Sequence, residues 1–239
     1  MTVRIAAVGD LHFGTDSAGR LRPHLEHLPE KADMLLIAGD LTRRGLAEEA
    51  EVLAEELQAV PVPKLAVLGN HDYHMDQQDA VRRVIEQSGV RVLEGESEVV
   101  QVNGTSVAIA GLKGFGGGFA GACGTDFGEP EMKAFIRHTK TLADRLSEVV
   151  ASMKSDVRVV LLHYAPIEGT LQGERLEIYP FLGSYLLAEA VDACGADLII
   201  HGHAHSGCEH GVTPAGIQVR NVALPVIKHA YNLYCVDPE

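Results

Sequence analysis

The stretch "VRIAAVGDLH", Val3 to His12, is an apolar run that ends in Gly-Asp-x-His. Four similar runs follow it, each ending in a polar residue: "DMLLIAGD" (Asp33 to Asp40), "KLAVLGN" (Lys64 to Asn70), "VRVVLLH" (Val157 to His163) and "DLIIHGH" (Asp197 to His203). Runs that are apolar on both faces predict strands buried in an α/β sheet. Because ligands gather at the carboxyl ends of such strands, the terminal polar residues predict a functional site.

Helical periodicity separates these runs. Glu131 to Met153 carries apolar residues on one face at a spacing of three and four, which predicts an amphipathic helix. Leu46 to Ala59 stops before a proline, and Ser184 to Cys194 stops at Gly195, a residue type that commonly follows a helix. The alternation of strands and helices indicates an α/β fold.

Further β-type runs suggest a second sheet. Glu98 to Leu112 has Asn103-Gly104 at its centre, which predicts a hairpin with a type I′ turn. The C-terminal runs Gly216 to Leu224 and Tyr231 to Asp237 are also β-type. We therefore expect the middle and the end of the chain to contribute antiparallel strands.

A glycine-rich segment, Lys113 to Gly124, follows the predicted hairpin. Its glycine density predicts an irregular, mobile loop, which we place near the mouth of the site. The segment lacks the sequence pattern of a nucleotide-binding P-loop.

Composition and charge narrow the classes of function. The 239 residues contain 46% hydrophobic residues and no low-complexity linker, which predicts a single domain spanning 1–239. Lys and Arg number 20 against 33 Asp and Glu, so the formal net charge is −13 and disfavours nucleic acid and anionic membranes as partners. A small phosphorylated substrate would need a local positive centre.

The cysteines and the apolar runs indicate the cellular compartment in which we expect the protein. The 4 cysteines are widely spaced without a C-x-x-C pair, and the N-terminus lacks a signal-peptide pattern, so we expect a cytoplasmic protein. Since no apolar run approaches the roughly 20 residues that cross a bilayer, we expect no membrane insertion.

Seven residues that lie at or next to the ends of the five runs have side chains that can bind metal ions. They are Asp10, His12, Asp40, Asn70, His163, His203 and His205. Imidazole and carboxylate together suit divalent Mn, Fe, Zn, Ni or Co. Seven ligands exceed what one tetrahedral ion takes, so two ions sharing a carboxylate fit better. Such a centre would supply the local positive charge.

The blocks "GDLH" (9–12), "GDLTRRG" (39–45), "GNHD" (69–72), the isolated His163 and "GHAH" (202–205) resemble, in order and spacing, the motifs of the calcineurin-like metallophosphoesterases. The resemblance implies a four-layer α/β/β/α sandwich with two mixed β-sheets. It also implies one ion held by Asp10, His12, Asp40 and His205 and another held by Asp40, Asn70, His163 and His203.

The same resemblance implies that His71 donates a proton to the leaving alkoxide, and Asp72, next in the motif, is assigned a catalytic role with it. The protein Ser/Thr phosphatases carry the motif GD-x-x-D-R-G. This chain has Arg43 at the position of the second aspartate of that motif. That difference disfavours a protein phosphatase. Arg43 and Arg44 either bind a substrate phosphate or are exposed arginines before a helix.

The resulting hypothesis is a dinuclear metal-dependent phosphoesterase in which a metal-bridging hydroxide attacks phosphorus, with a lean towards phosphodiesters or small nucleotide-type substrates. The alternatives are a phosphomonoesterase on the same site, a nuclease, a mononuclear zinc hydrolase and a non-catalytic scaffold of the same fold. The chain's acidic charge counts against the nuclease, and its filled ligand positions count against the scaffold. His201, within the last strand, is interpreted as a packing residue or a neighbour of the ligands.

Overall fold

Two β-sheets lie face to face at the centre of the computed structural model, which describes residues 1–238. Strands and helices are numbered in chain order. The first sheet contains five strands: β1 (Val3–Val8), β2 (Met34–Ala38), β3 (Lys64–Val67), β4 (Val90–Val92) and β13 (Asn232–Val236). Their spatial order is β13-β1-β2-β3-β4, with β13 antiparallel to β1 and the others parallel. Strands near both ends of the described chain thus meet in one sheet, and the single domain expected for 1–239 stays a prediction.

The second sheet contains six strands: β5 (Glu96–Val102), β6 (Thr105–Leu112), β9 (Val157–Leu162), β10 (Leu198–His201), β11 (His210–Val212) and β12 (Gln218–Asn221). Their spatial order is β11-β12-β10-β9-β6-β5, with the two outermost pairings antiparallel and the inner ones parallel. Both sheets are therefore mixed, as predicted.

Helices cover the outer faces of both sheets. They are α1 (Arg22–Leu25), α2 (Leu28–Lys31), α3 (Ala47–Leu57), α4 (Gln78–Gln87), α5 (Pro130–Ser152), α6 (Tyr179–Leu182), α7 (Tyr185–Asp192) and α8 (Leu224–Ile227), with 3₁₀ turns at His71–Tyr73, Glu168–Leu171 and Leu176–Ile178. The three helices predicted from periodicity correspond to α3, α5 and α7, each within two residues of its expected ends. No helix within residues 1–238 combines the length and the hydrophobicity that crossing a membrane requires.

Three apolar layers hold the sandwich together. Alternate residues of β2 point to opposite sides, so Leu35 packs towards α3 and α4 while Leu36 packs between the sheets. The third layer packs β6, β9 and β10 against α5 and α7, where Leu146 and Leu187 are buried. These layers confirm the four-layer α/β/β/α arrangement.

The hairpin prediction is confirmed, since β5 and β6 pair antiparallel across Asn103 and Gly104, whose φ angles of 50° and 86° are those of a type I′ turn. The C-terminal runs form strands with antiparallel partners, as predicted, since β12 pairs with β11 and β13 pairs with β1. The two runs belong to different sheets, and β12 lies parallel to β10 because the chain returns through β11 before entering β12.

The prediction of an irregular glycine-rich loop is wrong in part. Within 113–124 the chain forms a short hairpin, β7 (Gly118–Phe119) paired with β8 (Ala122–Cys123). Positive φ angles at Gly118 (98°) and Gly121 (83°) permit the tight reversal. The hairpin is tied to the body of the protein because Gly118 N donates to Gly183 O at 2.8 Å.

Candidate metal centre

The carboxyl ends of five strands deliver two overlapping groups of ligand atoms. In the first group, Asp10, His12, Asp40 and His205 each offer an atom, and these atoms all lie within 4.8 Å of one another. Asp40, His163 and His203 meet the same criterion in the second group. Asp40 therefore belongs to both.

The carboxylate of Asp40 divides its oxygens between the groups. Its Oδ1 lies 3.4 Å from His163 Nε2, and its Oδ2 lies 3.7 Å from His12 Nε2. Asn70 joins the second group, because its Oδ1 lies 2.9 Å from the same His163 nitrogen. All seven residues predicted as ligands thus converge on one cleft, with Asp40 at its centre.

The backbone of the site is strained. Four of these residues have positive φ angles: Asp10 (57°), His12 (45°), Asp40 (49°) and His203 (69°). Non-glycine residues rarely adopt this conformation, and its occurrence marks functional sites where surrounding contacts enforce it. Such contacts are present, since Asp10 N donates to Gly39 O at 2.9 Å and the carboxylate of Asp10 accepts the backbone N–H of His203 at 2.9 Å.

Two glycines of the motifs make room for ligand side chains. A Cβ atom at Gly69 would overlap the carboxylate of Asp40, and one at Gly202 would overlap the carboxylate of Asp10. Each of these glycines immediately precedes a ligand of one strand end and clears space for a carboxylate from another. The Gly-Asn and Gly-His pairs in the sequence therefore reflect close packing as well as chain reversal.

Backbone carbonyls fix the orientation of the buried imidazoles. His163 Nδ1 donates to Ala38 O at 2.9 Å, and His203 Nε2 donates to Phe181 O at 3.1 Å. The other ring nitrogen of each histidine is therefore a lone-pair donor towards the cleft, an arrangement typical of metal-binding histidines.

The donor set fits divalent cations. His12 Nε2 is buried and has no hydrogen-bond partner among residues 1–238. In the second group, the lone pairs of His163 Nε2, Asn70 Oδ1 and Asp40 Oδ1 face one another, because the proton of His163 is committed to Ala38. Lone pairs directed at one point repel unless a positive centre lies between them. Mixed nitrogen and oxygen donors suit Mn, Fe, Zn, Ni or Co.

The electrostatics of the protein alone indicate the same need. Burial, together with the nearby carboxylates of Asp10 and Asp72, raises the pKa of Asp40 to about 9. Burial also lowers the pKa of His12 to about 4 and that of His203 to about 3, so both rings are neutral at pH 7. Neutral imidazoles and carboxylates that repel one another are the state that a bound cation stabilises.

His71 lies at the rim of the first group. Its ring centroid is 4.4 Å from that of His12, and its side chain is 44% exposed. Nδ1 donates to the carbonyl oxygen of Arg43 at 2.8 Å, so Nε2, which is 4.0 Å from Asp40 Oδ2, is free to exchange a proton in the cleft. A backbone carbonyl thus orients this imidazole.

The catalytic role predicted for Asp72 does not agree with its position. Its buried carboxylate accepts hydrogen bonds from Leu41 N (3.1 Å), Thr42 N (2.8 Å), Thr42 Oγ1 (2.6 Å) and Gly69 N (2.8 Å). Among residues 1–238 it forms no hydrogen bond or ion pair with an imidazole, because its oxygens accept from these four donors. Asp72 joins the loop after β2 to the loop after β3 and thereby positions the ligands on both.

Replacing Asp72 by alanine should lower the free energy of unfolding by about 3 kcal/mol or more, because buried N–H donors lose a charged acceptor. Urea unfolding of the metal-free protein measures the change. The exposed Asp144 is a matched control, and its alanine variant should unfold like the wild type. A loss below about 1 kcal/mol for Asp72→Ala would contradict the positioning role.

The two arginines predicted near the substrate have exposed side chains. The guanidinium of Arg43 binds Asp16 Oδ1 at 2.8 Å, so its charge is already paired. Arg44 uses its backbone N–H to bind Glu49 Oε2 at 2.7 Å, which fixes the start of α3. The carbonyl group of Arg43 orients His71, and substrate binding by the two arginine side chains stays a prediction.

Residues outside the ligand motifs line the second group. The carbonyl of Lys113 accepts the backbone N–H groups of His163 and Tyr164, both at 3.0 Å, which ties the glycine-rich segment to the site. The ring of Tyr164 lies 4.4 Å from that of His203. The adjacency of Tyr164 to His163 was the available signal, whereas nothing in the sequence pointed to the carbonyl of Phe181.

His201 lies outside both ligand groups and is completely buried. Its Nδ1 donates to Gly202 O at 2.8 Å, and its Nε2 lies 2.8 Å from the hydroxyl of Thr170. These contacts agree with the packing interpretation. Burial also lowers the pKa of His201 to about 4, so this residue makes the stability of the fold sensitive to acid.

Replacing His201 by glutamine should flatten the pH dependence of stability. Below about pH 6.5 the unfolded state gains a proton on this ring, while the folded state gains one only near pH 4, so His201 costs stability progressively between these values, by about 3 kcal/mol in all. Urea unfolding of both metal-free proteins at pH 7 and pH 4.5 measures the difference. Equal losses on acidification would show that the imidazole is charged in the fold.

Comparisons with known proteins agree with the site. The sequence matches the calcineurin-like phosphoesterase family over residues 3–207. The chain is 28% identical over 192 residues to the UPF0046 protein K07C11.7 of Caenorhabditis elegans, covering 77% of this chain and 59% of that protein. It is 33% identical over 116 residues to an uncharacterized metallophosphoesterase of Aquifex aeolicus, covering 46% and 42%. The chain thus spans about half the length of these curated relatives.

The fold is similar to that of the phosphopantetheinyl hydrolase PptH from Mycobacterium tuberculosis, with a TM-score of 0.64 at 16% identity, covering 94% of this chain and 90% of that one. A five-strand convergence of ligands, a shared carboxylate and a sequence match over residues 3–207 lead to one conclusion. The chain belongs to the calcineurin-like phosphoesterase family.

Proposed function

We propose that the chain is a dinuclear metal-dependent phosphoesterase that acts on small phosphorylated substrates, with a preference for phosphodiesters of nucleotide type. The observation that carries the proposal is the shared carboxylate of Asp40, which belongs to both groups of ligand atoms. Asp10, His12, Asp40 and His205 would hold one ion, and Asp40, Asn70, His163 and His203 the other. When bound, the ions supply Lewis acidity that activates water and neutralises charge on the phosphoryl oxygens.

The chain's own residues then act on the ester. His71 Nε2 faces the cleft and donates a proton to the departing alkoxide, while the carbonyl of Arg43 keeps the Nδ1 proton in place. Loss of this carbonyl contact would let the ring rotate. The arrangement supports general acid catalysis by His71 and leaves Asp72 as a positioning residue.

The preference for a small diester rests on charge. A net charge of −13 opposes long polyanions. The guanidinium of Arg43 is paired with Asp16, so a dianionic terminal phosphate would have to compete with that carboxylate for it.

A turnover screen tests this proposal. The protein reconstituted with Mn, Fe, Zn, Ni or Co should hydrolyse bis-p-nitrophenyl phosphate and at least one cyclic or linear nucleotide diester. Its kcat/KM should be lower for the corresponding monoesters. A higher kcat/KM for monoesters would overturn the diester preference, and a lack of hydrolysis of either class with every metal would favour a non-catalytic scaffold.

A further inference from the structure

We propose that the ammonium group of Lys113 binds the phosphoryl oxygens of the substrate and is a substrate-binding residue of this site. The inference rests on the proposed function and extends it to a side chain on the glycine-rich segment, which the ligand motifs do not include. It follows from the surroundings of the ammonium group, from the backbone contacts that tie Lys113 to the strand end carrying His163, and from the pairing of Arg43 with Asp16.

Three aromatic rings surround the ammonium group. Lys113 Nζ lies 5.0 Å from the ring centroid of Tyr73, 5.2 Å from that of Phe115 and 5.4 Å from that of Tyr164. Cation–π attraction of this kind holds a cation but does not satisfy its N–H donors. In the described chain, 1–238, Nζ forms one hydrogen bond, to Gly114 O at 3.3 Å, and has no carboxylate within 4.0 Å. The ammonium therefore has spare donors.

The backbone ties Lys113 to the strand end that carries His163, and its ammonium lies over the ring of the next residue, Tyr164. The carbonyl of Lys113 accepts hydrogen bonds from both His163 and Tyr164, and Tyr164 packs against His203. Tyr73 closes the 3₁₀ turn that starts at His71, so the aromatic cage joins the turn carrying the proposed proton donor to the second group of ligands.

An ammonium group in this position supplies N–H donors that carry a positive charge. Aromatic rings surround it and accept none of its N–H groups as a hydrogen-bonding oxygen would, so an anion that accepts these groups supplies hydrogen bonds that the rings do not. Charge-assisted hydrogen bonds to phosphate oxygens are the natural use of such a group. The guanidinium of Arg43 is paired with Asp16, whereas the Lys113 ammonium has no carboxylate within 4.0 Å among residues 1–238.

Glu94 offers the competing explanation. Its Oε2 is buried without a hydrogen-bond partner among residues 1–238, and its Oε1 lies 3.4 Å from Lys113 N. On that explanation, Lys113 serves only to balance the buried charge of Glu94. The two explanations predict different affinities for phosphate when the charges of Lys113 and Glu94 are removed together. The affinity stays weak if Lys113 binds phosphate, and it returns to the wild-type value if Lys113 only balances Glu94.

The experiment titrates manganese-reconstituted protein with inorganic phosphate in a calorimeter. We expect Lys113→Met to raise the Kd for phosphate by about 10- to 100-fold, because a charge-assisted hydrogen bond is lost. The double variant Lys113→Met/Glu94→Gln, which leaves no unbalanced carboxylate, should show the same weakening. Lys154→Met, which removes the same charge at an exposed position, is the control and should bind phosphate like the wild type.

Three outcomes would overturn the inference: an unchanged Kd for Lys113→Met, restoration of the wild-type Kd in the double variant, or a wild type that turns over substrate without binding phosphate. The first two leave the proposed function intact if the wild type hydrolyses bis-p-nitrophenyl phosphate. A wild type that neither binds phosphate nor hydrolyses any ester overturns both proposals. Equal manganese content in all variants confirms that the change lies in phosphate binding.

Discussion

Replacing Asp40 by asparagine should lower metal content from two ions per chain to one or fewer and reduce kcat/KM on the order of 10³-fold. The reason is that both ligand groups use this carboxylate, one oxygen on each side. Asparagine keeps one oxygen, so the hydrogen bond that Asp40 Oδ1 accepts from His71 N at 2.8 Å can be retained. Metal analysis and steady-state kinetics measure the two effects.

The stability of the same variant separates loss of metal from loss of fold. Because burial raises the pKa of Asp40 to about 9, the carboxylate destabilises the metal-free protein increasingly as the pH rises from about 4 towards 9. The metal-free asparagine variant should therefore be more stable than the wild type at pH 8, with the difference disappearing near pH 4. Asp16→Asn, at an exposed position, should change neither metal content nor this pH dependence. Unaltered metal content in Asp40→Asn would contradict the bridging role.

Replacing His71 by alanine should reduce kcat about 10²- to 10⁴-fold on esters whose leaving group is a poor, alkoxide-type one. Esters that release p-nitrophenolate need little proton donation, so their hydrolysis should change far less. The contrast between the two substrates, measured at equal metal content, identifies the residue as a general acid.

His74 provides a matched control for this substitution, because it lies three residues further along, next to the end of the same 3₁₀ turn, and belongs to neither ligand group. His74→Ala should behave like the wild type on both kinds of ester. If His71→Ala slowed both kinds equally, the imidazole would act on metal or substrate binding rather than on the leaving group.

The convergence of the ligands was readable from the sequence because each apolar run predicts a buried strand and each run ends in a donor residue. Parallel pairing of β1 and β2 brings Asp10 and Asp40 to the same edge of the first sheet. His163 follows β9 of the second sheet and meets Asp40 because the two sheets pack face to face. The amphipathic helices and the Asn103-Gly104 turn followed from local patterns as well. Local periodicity and turn chemistry were thus sufficient for most of the sandwich.

Other features depended on tertiary geometry that local patterns do not carry. Asp72 follows His71 in the chain, but the direction of its side chain is set by the donors of Leu41 and Gly69. The contribution of Arg43 comes from its carbonyl, which a comparison of side chains overlooks. The aromatic cage around Lys113 collects rings from segments that lie far apart in the sequence.

Metal stoichiometry tests the central claim, a dinuclear centre bridged by Asp40, most directly. The protein is stripped of metal, reconstituted with excess manganese, passed through a desalting column and analysed for manganese by mass spectrometry, with hydrolysis of bis-p-nitrophenyl phosphate measured on the same sample. We predict close to two ions per chain in the active sample, with activity rising as the second ion binds. A reproducible value of one ion per chain with full activity would contradict the dinuclear account.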